Sequence, residues 1–130
     1  MRIVVLIARI LLGLVFFVLG LNGFIGFLGT PPPGGTSGQF LGSMWVSHYT
    51  WFVSGVQVLA GLALLTNQYV PLAIVVLAAV LSNILVFHIT MMPQGLPLPI
   101  VVTILWFIVA WPLRGYFAPL FARQVPLESR

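Results

Sequence analysis

The chain has 130 residues, of which 61% are hydrophobic and 5% are charged, and its mean hydropathy is +1.18. A soluble domain of this composition would expose one continuous apolar surface, so we expect a single lipid-embedded domain spanning residues 1–130. The net charge of +4 rests on arginines that flank apolar segments, which argues against a nucleic-acid partner. Cysteine is absent, which excludes disulfides and iron–sulfur ligation.

Four apolar segments are each long enough to cross a bilayer, for which about 20 residues suffice. Their apolar runs are continuous and lack the alternation of barrel strands, so helices are expected. The sequence therefore predicts an all-α fold, an integral membrane four-helix transmembrane bundle. The predicted spans are residues 3–28, 44–66, 72–92 and 97–116, followed by a solvated tail at 119–130.

Small residues repeat along the first span at steps of three or four, which places them on one helical face. We expect this face to pack inside the bundle; it comprises Arg9, Gly13, Phe16, Gly20, Gly23 and Phe27. Residues 29–42 follow with three consecutive prolines and several glycines. They are predicted to form the longest loop, because this composition cannot continue a helix.

Polar residues also form stripes on the second and third spans. The second span carries Thr50, Ser54, Gln57 and Gly61 on one face, and the third carries Ala79, Asn83, Val86 and Thr90. A buried amide in lipid is costly unless it is paired, so Gln57 and Asn83 are predicted to face the interior and bond across the two helices. A ligand or transport pathway is the alternative interpretation.

Arginine placement predicts the orientation of the bundle. If both termini are cytoplasmic, all five arginines lie on or near that side, and both outer loops are uncharged. Arg9 then lies about one turn inside the bilayer and extends its side chain back to the interface.

Under this topology His48 and His88 lie at one depth, roughly 6 Å inside the outer surface, with Asn22 at a similar level. The favoured interpretation is structural, with both rings facing lipid headgroups or bonding to backbone. Three ligands are alternatives, in falling order: a quinone headgroup, an axially ligated haem, and a metal ion. No metal site is expected, because neither a third histidine nor a carboxylate is at hand.

Five stretches of the chain resemble the DoxX/DoxD-like family of small four-span membrane proteins. They are residues 9–24, 55–61, 83–88, 93–97 and 114–121. The resemblance implies a four-span fold. It also implies one of the family's roles, which include subunits of thiosulfate:quinone oxidoreductase, parts of membrane redox complexes, and assembly factors.

Two functional hypotheses follow. The first is a quinone-linked subunit of a membrane redox complex, in a prokaryotic cytoplasmic membrane, with an outer-leaflet site formed by Asn22, His48 and His88 and backed by Gln57 and Asn83. The second is a non-catalytic accessory or assembly subunit packed against a larger complex. The expected partners are the bilayer and other membrane subunits or further copies of the chain. No nucleophile–base pair or carboxylate pair is visible, so catalytic residues are not assigned and enzyme status stays open.

Overall fold

The computed structural model describes residues 1–28 and 33–127. This part of the chain folds into helices and contains no strand. Its six α-helices are α1 (Arg2–Ile25), α2 (Gly35–Val46), α3 (Tyr49–Thr66), α4 (Val70–Met91), α5 (Pro97–Ala110) and α6 (Arg114–Phe117). Four helical segments are long and apolar enough to cross a membrane: α1, α3, α4 and the run from Pro97 to Phe121. The protein is therefore an all-helical, multi-pass integral membrane protein.

Left-handed residues and prolines set the ends of these helices. Gly26 closes α1 with a φ of 70°, and its N–H donates to the carbonyl of Asn22 at 2.6 Å. Asn67 and Tyr69 both adopt positive φ in the short turn between α3 and α4. Pro97 begins α5, where its missing N–H costs no helical hydrogen bond. Short links make α3 antiparallel to α4 and α4 antiparallel to α5. Helix α1 is also antiparallel to α3, because positions later in α1 contact positions earlier in α3.

Glycines on α1 allow its backbone to approach the backbone and side chains of α3 closely. A Cβ atom at Gly13 would lie 3.1 Å from the carbonyl oxygen of Gly61, and one at Gly20 would lie 2.9 Å from that of Ser54. Gly13, Phe16 and Gly20 are buried, which confirms the predicted packing face over this stretch. Phe27 was wrongly included in that face, because α1 ends at Ile25 and the Phe27 ring is exposed.

Helices α4 and α5 meet through larger side chains. Ile74 and Leu77 of α4 are fully buried in one apolar core with Val109 of α5. The indole N–H of Trp106 donates to the carbonyl of Ile74 at 2.9 Å and joins the two helices. Four antiparallel spans leave residues 1 and 121 at one end of the bundle, which we name the arginine end. The opposite end, which carries α2, is the α2 end.

The predicted loop over residues 29–42 is wrong from Gly35 onward, because Gly35–Val46 forms helix α2. Residues 29–32 lie outside the described part of the chain. Helix α2 is stabilised by an apolar contact that its glycine-rich sequence obscures, since the ring centroids of Phe40 and Phe87 are 5.7 Å apart. The second span consequently begins at Tyr49 rather than residue 44, and His48 separates the two helices.

The predicted inward orientation of Asn83 is also wrong. Asn83 is exposed, and its amide donates to the carbonyl of Ala79 in its own helix at 2.9 Å. The buried face of α4 consists of Val70, Ala73, Ile74, Leu77 and Leu81. Because α4 is apolar on nearly every side, the position of its few polar residues does not indicate which side packs inward.

Candidate functional site

Three of the predicted site residues lie at the α2 end. Asn22 is half-buried in the last turn of α1, and its Oδ1 accepts a hydrogen bond from the N–H of Leu28 at 2.9 Å. Its backbone oxygen accepts from Gly26. Asn22 therefore satisfies the backbone where the chain leaves the helix, a common function for a polar residue at a helix end.

His48 lies outside the transmembrane helix that was expected to contain it. It adopts φ 64°, is exposed, and forms the junction between α2 and α3. Its ring contacts that of Trp51 in a tilted arrangement with centroids 4.6 Å apart, and the Trp51 ring in turn lies 6.4 Å from that of Phe24. The predicted depth of His48, four residues inside a span, is wrong because the helix restarts only at Tyr49.

His88 is half-buried in the last turn of α4. Its Nδ1 lies 2.8 Å from the carbonyl oxygen of Ile84, so Nδ1 carries a proton and donates to that oxygen. The ring is packed tightly against the following turn, since a Cβ atom at Gly95 would lie 3.0 Å from Nε2. Phe87, whose ring contacts Phe40, lies edge-on to the His88 ring at 5.1 Å.

The two histidines therefore belong to different aromatic clusters. His48 joins Trp51 and Phe24, where α1 meets α3, whereas His88 joins Phe87 and Phe40, where α2 meets α4. They share an end of the bundle, but the ring contacts of each are to different neighbours.

Gln57 and Asn83 do not face each other in the structure. Gln57 is half-buried on α3, in line with the buried Ser54, whose hydroxyl occupies the space that a Cβ atom at Gly23 would need. Asn83 points to the outside of the bundle, and no hydrogen bond joins it to Gln57 within the described residues. The structure leaves Gln57 half-buried on α3 and places Asn83 on the outer surface of the bundle.

The arginine end contains a cavity that the sequence analysis missed. It has a volume of about 470 Å³ and lies between the start of α1, the α3–α4 turn and the end of the fourth span. We name it the arginine groove; its polar lining residues are Arg2, Arg9, Asn67, Tyr69 and Tyr116. The spacing of Arg2 and Arg9, seven residues apart on one helix, is the signal that could have found it.

No protein-family model matches the chain, and no curated protein or solved structure matches it either. The class that the fold defines is a multi-pass helical membrane protein. Membership of the DoxX/DoxD-like family stays a prediction from the residues quoted above.

Proposed function

We propose that the protein is an accessory subunit of a membrane protein complex and that it docks through an exposed stripe on α4. The stripe consists of Ala79, Asn83, Val86 and Thr90, all of which are exposed. The observation that carries the proposal is the position of Asn83, eight residues before the end of α4 at Met91. That spacing corresponds to about 12 Å of helix, which is well inside the hydrocarbon layer.

An exposed amide at this depth needs a partner outside the chain. One N–H of Asn83 donates to Ala79, whereas its second N–H and its Oδ1 have no partner within the described residues. Lipid tails offer no hydrogen bonds, so these atoms are costly to leave facing hydrocarbon. A transmembrane helix of another subunit would satisfy them.

The spacing of the stripe suits such a helix. Its members follow one another by four, three and four residues, the pattern of side chains that pack between helices crossing at about 20°. Ala79 allows close approach at one end of the stripe. Thr90 uses its hydroxyl on the carbonyl of Val86 and so presents its methyl group and β-carbon outward.

Single-cysteine cross-linking tests the docking surface, and the chain has no native cysteine to interfere. Val86 on the stripe and Val101 on α5 form a matched pair, since both are valines, 59% and 54% exposed. We expect Val86→Cys to cross-link in native membranes to one defined larger subunit and Val101→Cys not to do so. Equal cross-linking at both positions, or a product containing only two copies of this chain, would contradict the proposal.

Removal of the amide should weaken the complex without unfolding the subunit. A hydrogen bond between membrane helices contributes about 0.6 kcal/mol and up to about 1.7 kcal/mol, so Asn83→Leu should lower association roughly 3- to 18-fold. The yield of partner in detergent pull-downs measures this. Ile104→Leu, an exposed apolar change on α5, is the control and should leave the yield unchanged.

A quinone-linked redox role is the second candidate, and the geometry of His88 favours it. With Nδ1 donating to Ile84, Nε2 of the neutral ring would accept a hydrogen bond from the hydroxyl of a quinol. His88→Ala combined with His48→Ala should then abolish quinone-linked electron transfer in the membrane. Unchanged electron transfer in this double variant would rule out the redox role and leave the docking role intact.

We further propose that the arginine end faces the cytoplasm of a prokaryotic cell. The support is the placement of Arg2, Arg9 and Arg114 at that end, together with the rule that cationic residues stay on the cytoplasmic side. Reporter enzymes fused to either terminus should both be active on the cytoplasmic side. Reporters on opposite sides would contradict the four-span topology itself.

A further inference from the structure

The arginine groove carries two cations on one face of one helix. Arg2 and Arg9 are seven residues apart on α1, which puts them about 20° apart around the helix and about 10 Å apart along it. No carboxylate occurs among the described residues that line the groove. The positive charge of this cavity is therefore not neutralised by the walls that surround it.

Arg9 has a donor without an acceptor. The residue is half-buried, and its Nε is buried from solvent with no hydrogen-bond partner among the described residues. A guanidinium at this depth in a membrane protein ordinarily pairs with an anion or with backbone carbonyls. The orphaned Nε thus indicates a missing acceptor at the inner part of the groove.

The N-termini of two helices add partial positive charge to the arginine groove. α1 begins at Arg2 and α4 at Val70, and neither helix has a side-chain cap or an acidic residue in its first turn. The unpaired N–H groups and the dipole at a helix start both favour an anion. Asn67, Tyr69 and Tyr116 are further polar residues that line the groove.

The remainder of the lining is apolar. It consists of Val5, Leu6, Val70, Pro71, Val109, Pro112 and Leu113. A ligand that fits has an anionic group for the arginines and hydrocarbon for these side chains. We infer that the arginine groove binds the phosphate of an anionic phospholipid, with an acyl chain along its apolar wall. Basic cavities between transmembrane helices bind lipid headgroups in this way.

Native mass spectrometry of the full chain in neutral detergent tests this inference. The probes are phosphatidylglycerol and phosphatidylcholine with identical acyl chains, and inorganic phosphate in a separate titration. We expect phosphatidylglycerol to bind about tenfold more tightly than phosphatidylcholine, because both carry the phosphate but only phosphatidylcholine adds a trimethylammonium cation that the two arginines repel. Equal binding of the two lipids would overturn the inference. So would inorganic phosphate that displaces phosphatidylglycerol at equal concentration, since the site would then select a free anion.

Variants localise the site. Arg9→Gln keeps a polar side chain and removes the charge, and it should abolish the preference for phosphatidylglycerol. Arg2 is exposed at the first residue of α1, so Arg2→Gln should fold normally and also reduce the preference, even if Arg9→Gln misfolds. Arg114→Gln is the control, because Arg114 lies outside the groove lining, bonded to the carbonyl of Trp111 at 2.8 Å and over its ring. An undiminished preference in Arg2→Gln, or a loss in Arg114→Gln, would overturn the assignment to this groove.

Discussion

Gly61 of α3 lies so close to Phe17 of α1 that a Cβ atom at Gly61 would be 2.7 Å from the Phe17 backbone nitrogen. The atoms that such a Cβ would meet are all backbone atoms, which cannot move aside as a flexible side chain could. Gly61→Ala should therefore force α1 and α3 apart and lower the free energy of unfolding by about 1–3 kcal/mol. Thermal unfolding in detergent measures this.

The control for that change is Gly42→Ala on α2. Nothing lies within 4 Å of a Cβ atom at Gly42, and alanine favours helix over glycine, so its unfolding temperature should stay the same or rise. A Gly61→Ala protein as stable as the wild type would show that α1 and α3 are not in close backbone contact.

Trp106 joins α5 to α4 through one hydrogen bond, from its indole N–H to the carbonyl of Ile74. Trp106→Phe keeps an aromatic ring but removes the donor, and we expect a loss of about 1 kcal/mol in unfolding free energy. Trp111→Phe, at an exposed indole on the same span, should change stability little. If both variants lose the same small amount of unfolding free energy, the Trp106–Ile74 hydrogen bond does not stabilise the bundle.

We expect Asn22 to stabilise the end of α1 through its hydrogen bond with Leu28 rather than to bind a ligand. Asn22→Ala removes the acceptor for the Leu28 N–H and should speed hydrogen exchange at that amide up to about tenfold. Asn22→Asp retains an acceptor oxygen and should preserve the protection. If exchange at Leu28 is unchanged in Asn22→Ala while quinone-linked activity falls, the ligand interpretation of Asn22 regains support.

His48 occupies a left-handed conformation, which glycine adopts without strain and β-branched residues resist. His48→Gly should therefore be at least as stable as the wild type, whereas His48→Val should lose about 1–2 kcal/mol. Thermal unfolding of the two variants distinguishes them. Equal destabilisation by both would mean that the ring contact with Trp51, rather than the backbone, is what His48 contributes.

The sequence predicted an all-helical fold with four membrane-spanning helices, because hydropathy and length are sufficient to identify such helices. It also predicted the packing face of α1, since glycines at regular spacing indicate close helix contact, as Gly13 and Gly20 now show. Helix α2 escaped prediction because its propensity is poor and the stabilising contact, Phe40 with Phe87, comes from 47 residues away.

The candidate sites were harder to predict for a related reason. In a span that is apolar on every side, periodicity shows which residues share a face but not whether that face meets protein or lipid. Asn83 was therefore expected inside and is outside. The arginine groove needs residues from α1, the α3–α4 turn and the fourth span, and only their packing reveals it.

The close pairing of α1 with α3 also bears on how the chain assembles during synthesis. Membrane helices insert first and associate afterwards, and α1 leaves the ribosome before α3. Its flat glycine surface has no matching surface until α3, which begins at Tyr49, has also entered the bilayer. We expect the first stable intermediate to be a two-helix hairpin of α1 and α3, onto which α4 and α5 later fold.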